Sequence, residues 1–132
     1  MIVGEIIPDW TVETVPAEKM KTMALLLRDP NPIHWDIEAV RRLGMGDQVI
    51  NQGPTNQAYV INMLLSWLGD PARLKSIRVR FVANVLAGDR VIAGGRVTKL
   101  RSDGGLQVAD CEVWLDRDDG SRLLGGTAVV AA

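Results

Sequence analysis

The 132-residue chain has few of the side chains that most often carry chemistry. It has one cysteine and one histidine, so neither an internal disulfide nor a zinc site built from several such residues can form. The 15 basic and 16 acidic residues nearly cancel, which predicts no nucleic-acid partner. No apolar run approaches the roughly 20 residues of a membrane-spanning helix, and the N-terminus lacks the basic start of a signal peptide. We therefore expect a cytoplasmic protein without a metal or a membrane contact.

The composition is that of one globular domain. Apolar residues make up 47% of the sequence and charged residues 23%, and a chain of this length buries enough surface for one core. Neither a repeat nor a linker-like segment divides it. The sequence therefore predicts a single domain over residues 1–132.

The first half of the chain is patterned as helix and loop. Pro16 is a favoured first residue for a helix over 16–28, in which apolar residues recur at helical spacing. Two prolines end that pattern, and a short helix is expected within 36–44. A longer helix over 56–70 is apolar on almost every face, which predicts burial against other structure.

In the second half the hydrophobic period changes to the alternation of β-strands. Residues 76–84 alternate apolar side chains with polar ones, and three more strand-like runs follow, separated by glycine-rich turns. An antiparallel meander is the simplest arrangement, with a further strand within 4–15. The predicted fold class is α+β, a long central helix wrapped by an antiparallel sheet. Because one helix cannot cover both sheet faces, we expect a dimer through sheet edges or helix faces.

The segment RDPNPIHWD, residues 28–36, contains the only histidine, His34. Histidine titrates near neutral pH, and Asp29 has the chemistry to orient it, to share a water with it or to exchange a proton. An ordinary loop explains the same residues, because Asp-Pro and Asn-Pro pairs are common in turns. The residues alone leave both interpretations open.

The segment NQGPTNQA, residues 51–58, precedes the long helix. Amides at a helix N-terminus are unpaired and carry partial positive charge, which suits a developing oxyanion. Pro54 has no N–H, so the donor would be Gly53, Thr55 or Asn56. A plain helix start explains the segment at least as well.

Two residues of the predicted core have an ordinary and a functional explanation. Asn62, inside the apolar helix, is expected to be a satisfied core amide or else to line a pocket. Cys111 is expected to be a buried, inert thiol rather than a nucleophile.

The strands carry two further features of this kind. Arg78 and Arg80 are expected on a solvated strand face, with coenzyme phosphates as the alternative partner. The glycine pairs at 94–95 and 125–126 are expected to form bulges or bends, because they lie within strands and far from any phosphate-binding loop.

The segment DPNPIHWD resembles the D-x-N-P-[aliphatic]-H-x-D signature of the MaoC-like, or R-specific, enoyl-CoA hydratases, which have the hot-dog fold. Six typed positions match: Asp29, Asn31, Pro32, Ile33, His34 and Asp36. INQGPT, before the long helix, is similar to the start of that family's central helix, and RFVANVLAGDRV is similar to its first long strand and turn. The resemblance covers most of the chain and implies a single MaoC-like hot-dog domain over residues 1–132.

The resemblance implies the addition of water to trans-2-enoyl-CoA, giving (R)-3-hydroxyacyl-CoA, in fatty-acid or steroid side-chain metabolism. Asp29 and His34 would hold the water that adds to the β-carbon and move the proton needed at the α-carbon. The backbone amide of Gly53 would polarise the thioester carbonyl. Coenzyme A enters as part of the substrate, so neither a separate cofactor nor a metal is expected.

Supporting or substrate-binding roles are implied for Asn31, Thr55 and Asn56. Two alternatives stay open: a hot-dog acyl-CoA thioesterase, and a subunit of a heteromeric hydratase. The NQGP form at 51–54 is similar to hydratase subunits of steroid side-chain degradation, some of which pair a catalytic chain with a degenerate one. Because the Asp-His pair is intact, we expect a catalytic chain, as a homodimer or with a second MaoC-like chain.

The sequence departs from the family pattern at two places. The family usually has a small residue and glycine before the aspartate, where this chain has Leu27 and Arg28. Arg28 would act on Asp29 as a neighbouring cation, point to solvent or narrow the cleft. Gln52 stands where many members have histidine.

Overall fold

The computed structural model describes all 132 residues and consists of a five-stranded antiparallel sheet around one long helix. The elements are, in chain order, β1 (Ile6–Val12), α1 (Ala17–Leu26), α2 (Ile37–Arg42), α3 (Gly53–Leu68), β2 (Leu74–Phe81), β3 (Val91–Asp103), β4 (Leu106–Arg117) and β5 (Arg122–Ala131). Single 3₁₀ turns precede α2 and β2, at Pro32–His34 and Pro71–Arg73. The predicted α+β class is confirmed.

The strands lie in the order β1-β3-β4-β5-β2, so β1 and β2 are the edges. β3, β4 and β5 form the predicted meander, but the prediction that β2 precedes β3 in it is wrong, because β2 pairs with β5. The connection after β2 is not a hairpin turn. Its Val85 is buried and accepts a hydrogen bond from Asn51 N–H, while Ala87 N–H donates to Val49 O. This segment therefore pairs with the residues just before α3.

The core lies between α3 and the inner face of the sheet. α3 contributes buried Val60, Met63 and Leu64, which join inward side chains of β3, β4 and β5 in one apolar cluster of 20 residues. The apolar side chains within residues 58–68 are all buried or half-buried, and only Pro54, Asn62 and Ser66 of α3 are exposed, which confirms the predicted burial against other structure. None of the helices combines the length and apolarity that a membrane-spanning segment needs.

The glycine pairs in β3 and β5 allow close packing, and the expected bulge or bend is wrong for residues 125–126, whereas residues 94–95 do lie at a register shift. Residues 125–126 pair in regular register with β4 and β2, and residues 94–95 with β4, but the pairing of β3 with β1 shifts opposite Gly94, between Ile7 and Trp10. A Cβ at Gly94 would lie 2.5 Å from Trp114 Nε1. One at Gly126 would overlap Arg78 O and lie 2.8 Å from Val79 Cα of β2. Edge strand β2 can therefore pair with β5 only because residue 126 has no side chain.

Gly126→Ala is expected to lower the free energy of unfolding by about 2 kcal/mol or more, because the new methyl meets backbone that cannot rotate away. Gly125→Ala is the matched control: its Cβ would lie 3.7 Å from the flexible Arg122 side chain, and a change below about 0.5 kcal/mol is expected. Urea denaturation of both variants measures the difference. Equal effects would contradict the packing argument.

Candidate active site

Local hydrogen bonds fold residues 29–34 into a tight loop after α1. Asp29 Oδ1 accepts from the backbone N–H of Asn31 at 3.1 Å, and Asn31 Oδ1 accepts from Ile33 N–H at 3.3 Å. Pro32 begins the 3₁₀ turn that ends at His34. The Asn31 side chain therefore caps the turn that carries the histidine.

The loop brings Asp29 and His34 into contact. Asp29 Oδ2 lies 3.1 Å from His34 Nε2. The histidine is only 7% exposed, whereas the aspartate is partly open to solvent. Since one Asp29 oxygen is held by the loop, the other is directed to the imidazole.

The second nitrogen of His34 fixes the tautomer of the ring. Nδ1 lies 2.6 Å from the carbonyl oxygen of Ile50. Because a carbonyl only accepts, Nδ1 carries a proton and donates it. In a neutral ring Nε2 is then unprotonated, and its 3.1 Å contact with Asp29 is a hydrogen bond only when a proton lies between the two atoms. The arrangement leaves Nε2 of His34 and Oδ2 of Asp29 as the two atoms between which a proton can be exchanged.

Ile50 connects this loop to the segment before α3. Its N–H donates to Ile33 O at 2.9 Å, and its carbonyl accepts from His34. The sequence analysis missed Ile50, because its contribution is made by backbone atoms and its side-chain type carries no signal.

The first turn of α3 leaves one amide unpaired. The N–H groups of Thr55 and Asn56 both donate to Gln52 O, at 3.1 and 3.2 Å, and Pro54 has none. Gly53 is the first residue of α3 and its N–H has no partner within the protein. Of the three predicted donors, Gly53 is therefore the one that is available to a ligand.

Phe81, at the end of β2, packs over Gly53. A Cβ at residue 53 would lie 3.2 Å from the tip of the Phe81 ring, which is itself 51% exposed. The alternation of residues 76–84 gave no indication of this contact. Glycine at 53 therefore leaves the free amide beside an exposed aromatic ring.

Two clefts lie on either side of α1. An open cleft of about 470 Å³ is lined by Asp29 together with Lys21, Ala24, Leu25 and Trp35. A cavity of about 520 Å³ lies between β1, α1 and α3. Asp29 lines the first of these, and neither lining includes His34 or Gly53.

The family of the chain follows from a comparison with known domain models. The model described as the MaoC like domain matches residues 8–112, about four-fifths of the sequence. The chain belongs to the MaoC-like family. A search of the curated proteins gives no match.

Solved structures share the fold of this MaoC-like chain. The (R)-hydratase from A. caviae involved in PHA biosynthesis has a TM-score of 0.86 at 23% identity, over 99% of this chain and 96% of that one. The ChsH1-ChsH2 complex from Mycobacterium tuberculosis gives 0.82 at 23% identity, over 99% and 98%. The HadBC (3R-hydroxyacyl-ACP dehydratase) complex from the same organism gives 0.79 at 20% identity, over 100% and 98%. The predicted hot-dog fold is confirmed.

Arg28 of this MaoC-like chain ends α1 in a conformation that favours glycine. Its φ is 52°, the only positive value outside glycine. Asp29 N–H donates to Ala24 O and Arg28 N–H to Leu25 O, which is the Schellman arrangement. The Arg28 side chain is exposed and forms no salt bridge with Asp29. Of the three predicted roles, exposure to solvent is therefore the one observed.

Arg28→Gly is expected to raise the free energy of unfolding by about 1 kcal/mol, because glycine adopts the left-handed conformation without a Cβ clash. Leu27→Gly is the control one residue earlier. Leu27 has a right-handed φ of −82°, so glycine there should lower stability by about 0.5–1 kcal/mol. Thermal or urea unfolding distinguishes them, and a destabilised Arg28→Gly would contradict this explanation.

The start of α3 in this MaoC-like chain has three polar side chains in different surroundings: Gln52, Thr55 and Asn56. Asn56 is buried, and its Oδ1 accepts from Asn51 Nδ2 at 2.9 Å. Gln52 Nε2 donates to Met20 O at 2.8 Å, which ties α1 to α3. The Gln52 Oε1 and Thr55 Oγ1 atoms are buried without a partner. Asn56 therefore belongs to a buried hydrogen-bonded cluster, while Thr55 lines the larger cavity.

The remaining predicted features are settled by burial. Asn62 is exposed and lines the cavity between β1, α1 and α3, so the expected core amide is wrong and the alternative, a pocket-lining amide, is the one observed. Cys111 is 1% exposed, and burial raises the pKa of its thiol to about 11, which confirms a buried thiol. Arg78 and Arg80 are exposed on edge strand β2, as predicted.

Proposed function

We propose that this chain adds water to trans-2-enoyl-CoA to give (R)-3-hydroxyacyl-CoA, and catalyses the reverse dehydration. The observation that supports this most is the contact of Asp29 with the tautomer-fixed His34, in a chain of the MaoC-like family. The A. caviae relative is itself an (R)-hydratase.

Hydration of an enoyl thioester requires three functions that this site can supply. A base takes a proton from water as its oxygen bonds to the β-carbon, an acid gives a proton to the α-carbon, and a donor stabilises the negative charge on the thioester oxygen. In this proposal Asp29 and His34 perform the first two steps. The unpaired N–H of Gly53 performs the third.

The fixed tautomer of His34 determines which atoms exchange protons. Nδ1–H is directed to Ile50 O, so only Nε2 and the Asp29 carboxylate exchange protons with water or substrate. The pair takes one proton from the water and gives one to the α-carbon, so its own proton count is unchanged after a turnover. No cofactor is required, because coenzyme A is part of the substrate.

The proposal includes assembly into a dimer. The outer edge of β2 has no strand partner within the chain, and an exposed edge is a template for pairing with a second sheet. Two of the similar structures are complexes of two different chains. We therefore propose a homodimer or a heteromer with a second MaoC-like chain, which light scattering after gel filtration would distinguish from a monomer. The cytoplasmic location stays a prediction.

Loss of the ultraviolet absorbance of the conjugated thioester tests the function. Crotonyl-CoA and bulkier enoyl-CoAs should lose this absorbance on incubation with the protein, without release of thiol. A thioesterase would instead release free coenzyme A from saturated acyl-CoA, which a thiol-trapping reagent detects. Thiol release without hydration would show that the chain is a thioesterase and not a hydratase.

A further inference from the structure

The cavity between β1, α1 and α3 has no part in the reaction proposed above. Its volume, about 520 Å³, is that of a small-molecule pocket. Most of its lining surface is apolar, and threonine and asparagine side chains contribute polar groups to it. A pocket of this mixed composition can bind an apolar ligand that carries a polar atom.

One hydroxyl on the cavity wall has a hydrogen without an acceptor. Asn51 Nδ2 uses one hydrogen on Asn56 Oδ1 at 2.9 Å and the other on the Tyr59 hydroxyl oxygen at 3.2 Å. Tyr59 therefore accepts from Asn51, and its own O–H has no acceptor within the protein. Tyr59 lines the cavity, so this hydrogen is available to a molecule bound there.

Tyr59 also keeps its proton at neutral pH. Burial raises the pKa of the phenol, while the hydrogen bond from Asn51 lowers it by less. The side chain is thus a neutral donor. Asn51 and Asn56 are both buried, which holds the phenol oxygen in place.

The lining of the cavity includes close sequence neighbours of residues assigned to the reaction. Asn51 follows Ile50, whose carbonyl holds His34, and Thr55 on the cavity wall is two residues after Gly53. A substrate whose carbonyl binds the Gly53 amide could therefore extend its acyl portion into this cavity.

We infer that Tyr59 is a specificity residue that donates a hydrogen bond to an oxygen on the acyl portion of the substrate. The substrate class is then an enoyl thioester whose acyl portion carries a carbonyl or hydroxyl oxygen beyond the double bond. This inference rests on the proposed hydration. A plain hydrocarbon chain would displace water from Tyr59 and leave its hydrogen unpaired, which disfavours that substrate.

The test uses a series of enoyl-CoAs of equal chain length. Each member carries one keto or hydroxyl oxygen, placed at successive positions from C5 outward, and the reference compound carries none. For the intact protein, kcat/KM should be higher by roughly tenfold or more for one oxygenated position than for the plain chain. In Tyr59→Phe this ratio should fall close to one. Because a ratio is measured, a general loss of activity in the variant does not affect the result.

Binding gives an independent measurement. Calorimetric titration with the corresponding saturated acyl-CoAs, which cannot be hydrated, should give the same preference and the same loss in Tyr59→Phe. The inference would be overturned if the intact protein gave a ratio of oxygenated to plain substrate close to one at every position. It would also be overturned if Tyr59→Phe left that ratio unchanged. If the variant does not fold, the ratio of the intact protein alone decides. Preferential binding without hydration of any enoyl-CoA would reject the hydratase proposal and leave the role of Tyr59 intact.

Discussion

Asp29→Asn and His34→Ala should each lower kcat/KM for enoyl-CoA hydration by about 10³-fold, because each removes a group that exchanges protons with water and substrate. In Asp29→Asn the new amide can still donate to His34 Nε2, at the position where Asp29 Oδ2 lies 3.1 Å away. The contact is therefore preserved while proton transfer is lost. Steady-state rates, with circular dichroism to monitor folding, measure the effect.

Asp36→Asn is the matched control for the aspartate. It makes the same substitution seven residues later in the same motif, and Asp36 caps α2 by accepting from Glu38 N–H at 3.0 Å. Asparagine is an equally good cap, so activity and stability should remain close to those of the intact protein. Activity of His34→Ala or Asp29→Asn close to that of Asp36→Asn would contradict the roles proposed for the pair.

Gly53→Pro should lower kcat/KM by about 10²- to 10³-fold relative to Gly53→Ala, because proline removes the proposed oxyanion donor. Proline suits the first position of a helix, and Gln52 before it already has extended backbone angles, φ −67° and ψ 142°. The measurement is kcat/KM for both variants with one enoyl-CoA.

Comparison with the alanine variant separates the effect of losing the N–H from the effect of adding a side chain. Alanine and proline both place a Cβ close to the Phe81 ring, at 3.2 Å before any adjustment, but only alanine keeps the amide hydrogen. A moderate loss in Gly53→Ala therefore measures the pressure on Phe81 together with the strain of a Cβ in the helical residue before Pro54. Equal activity of the two variants would show that the Gly53 amide does not stabilise the transition state.

The elements that the sequence predicted well are those whose signals are local. The caps, prolines and helical spacing predicted α1 and α2, and the two-residue alternation predicted the strands. α3 begins at Gly53 rather than near residue 56, because a helix start with glycine and proline has no periodic signal. The pairing of β2 with β5 depends on contacts between residues about 50 positions apart, which alternation within one strand cannot indicate.

The candidate site likewise combines residues that a local sequence motif indicated with residues whose contribution depends on distant contacts. The resemblance to a family motif, and not the residues alone, identified Asp29 and His34 as a pair, and the structure places them in contact. The carbonyl of Ile50 and the ring of Phe81 could not be found, because one contribution is made by the backbone and the other by packing across the fold. At Arg28 the family pattern expected glycine, and the left-handed φ gives the physical reason.

The most direct measurement of the central claim is the fate of solvent hydrogen in the product. When the protein converts crotonyl-CoA in D₂O, mass spectrometry and chiral analysis should find (R)-3-hydroxybutyryl-CoA with one deuterium at the α-carbon. That result follows if the Asp29–His34 pair adds a solvent oxygen at the β-carbon and a solvent proton at the α-carbon. Recovery of unchanged enoyl-CoA across short, long and ring-bearing substrates, or of free coenzyme A without hydroxyacyl product, would contradict the claim.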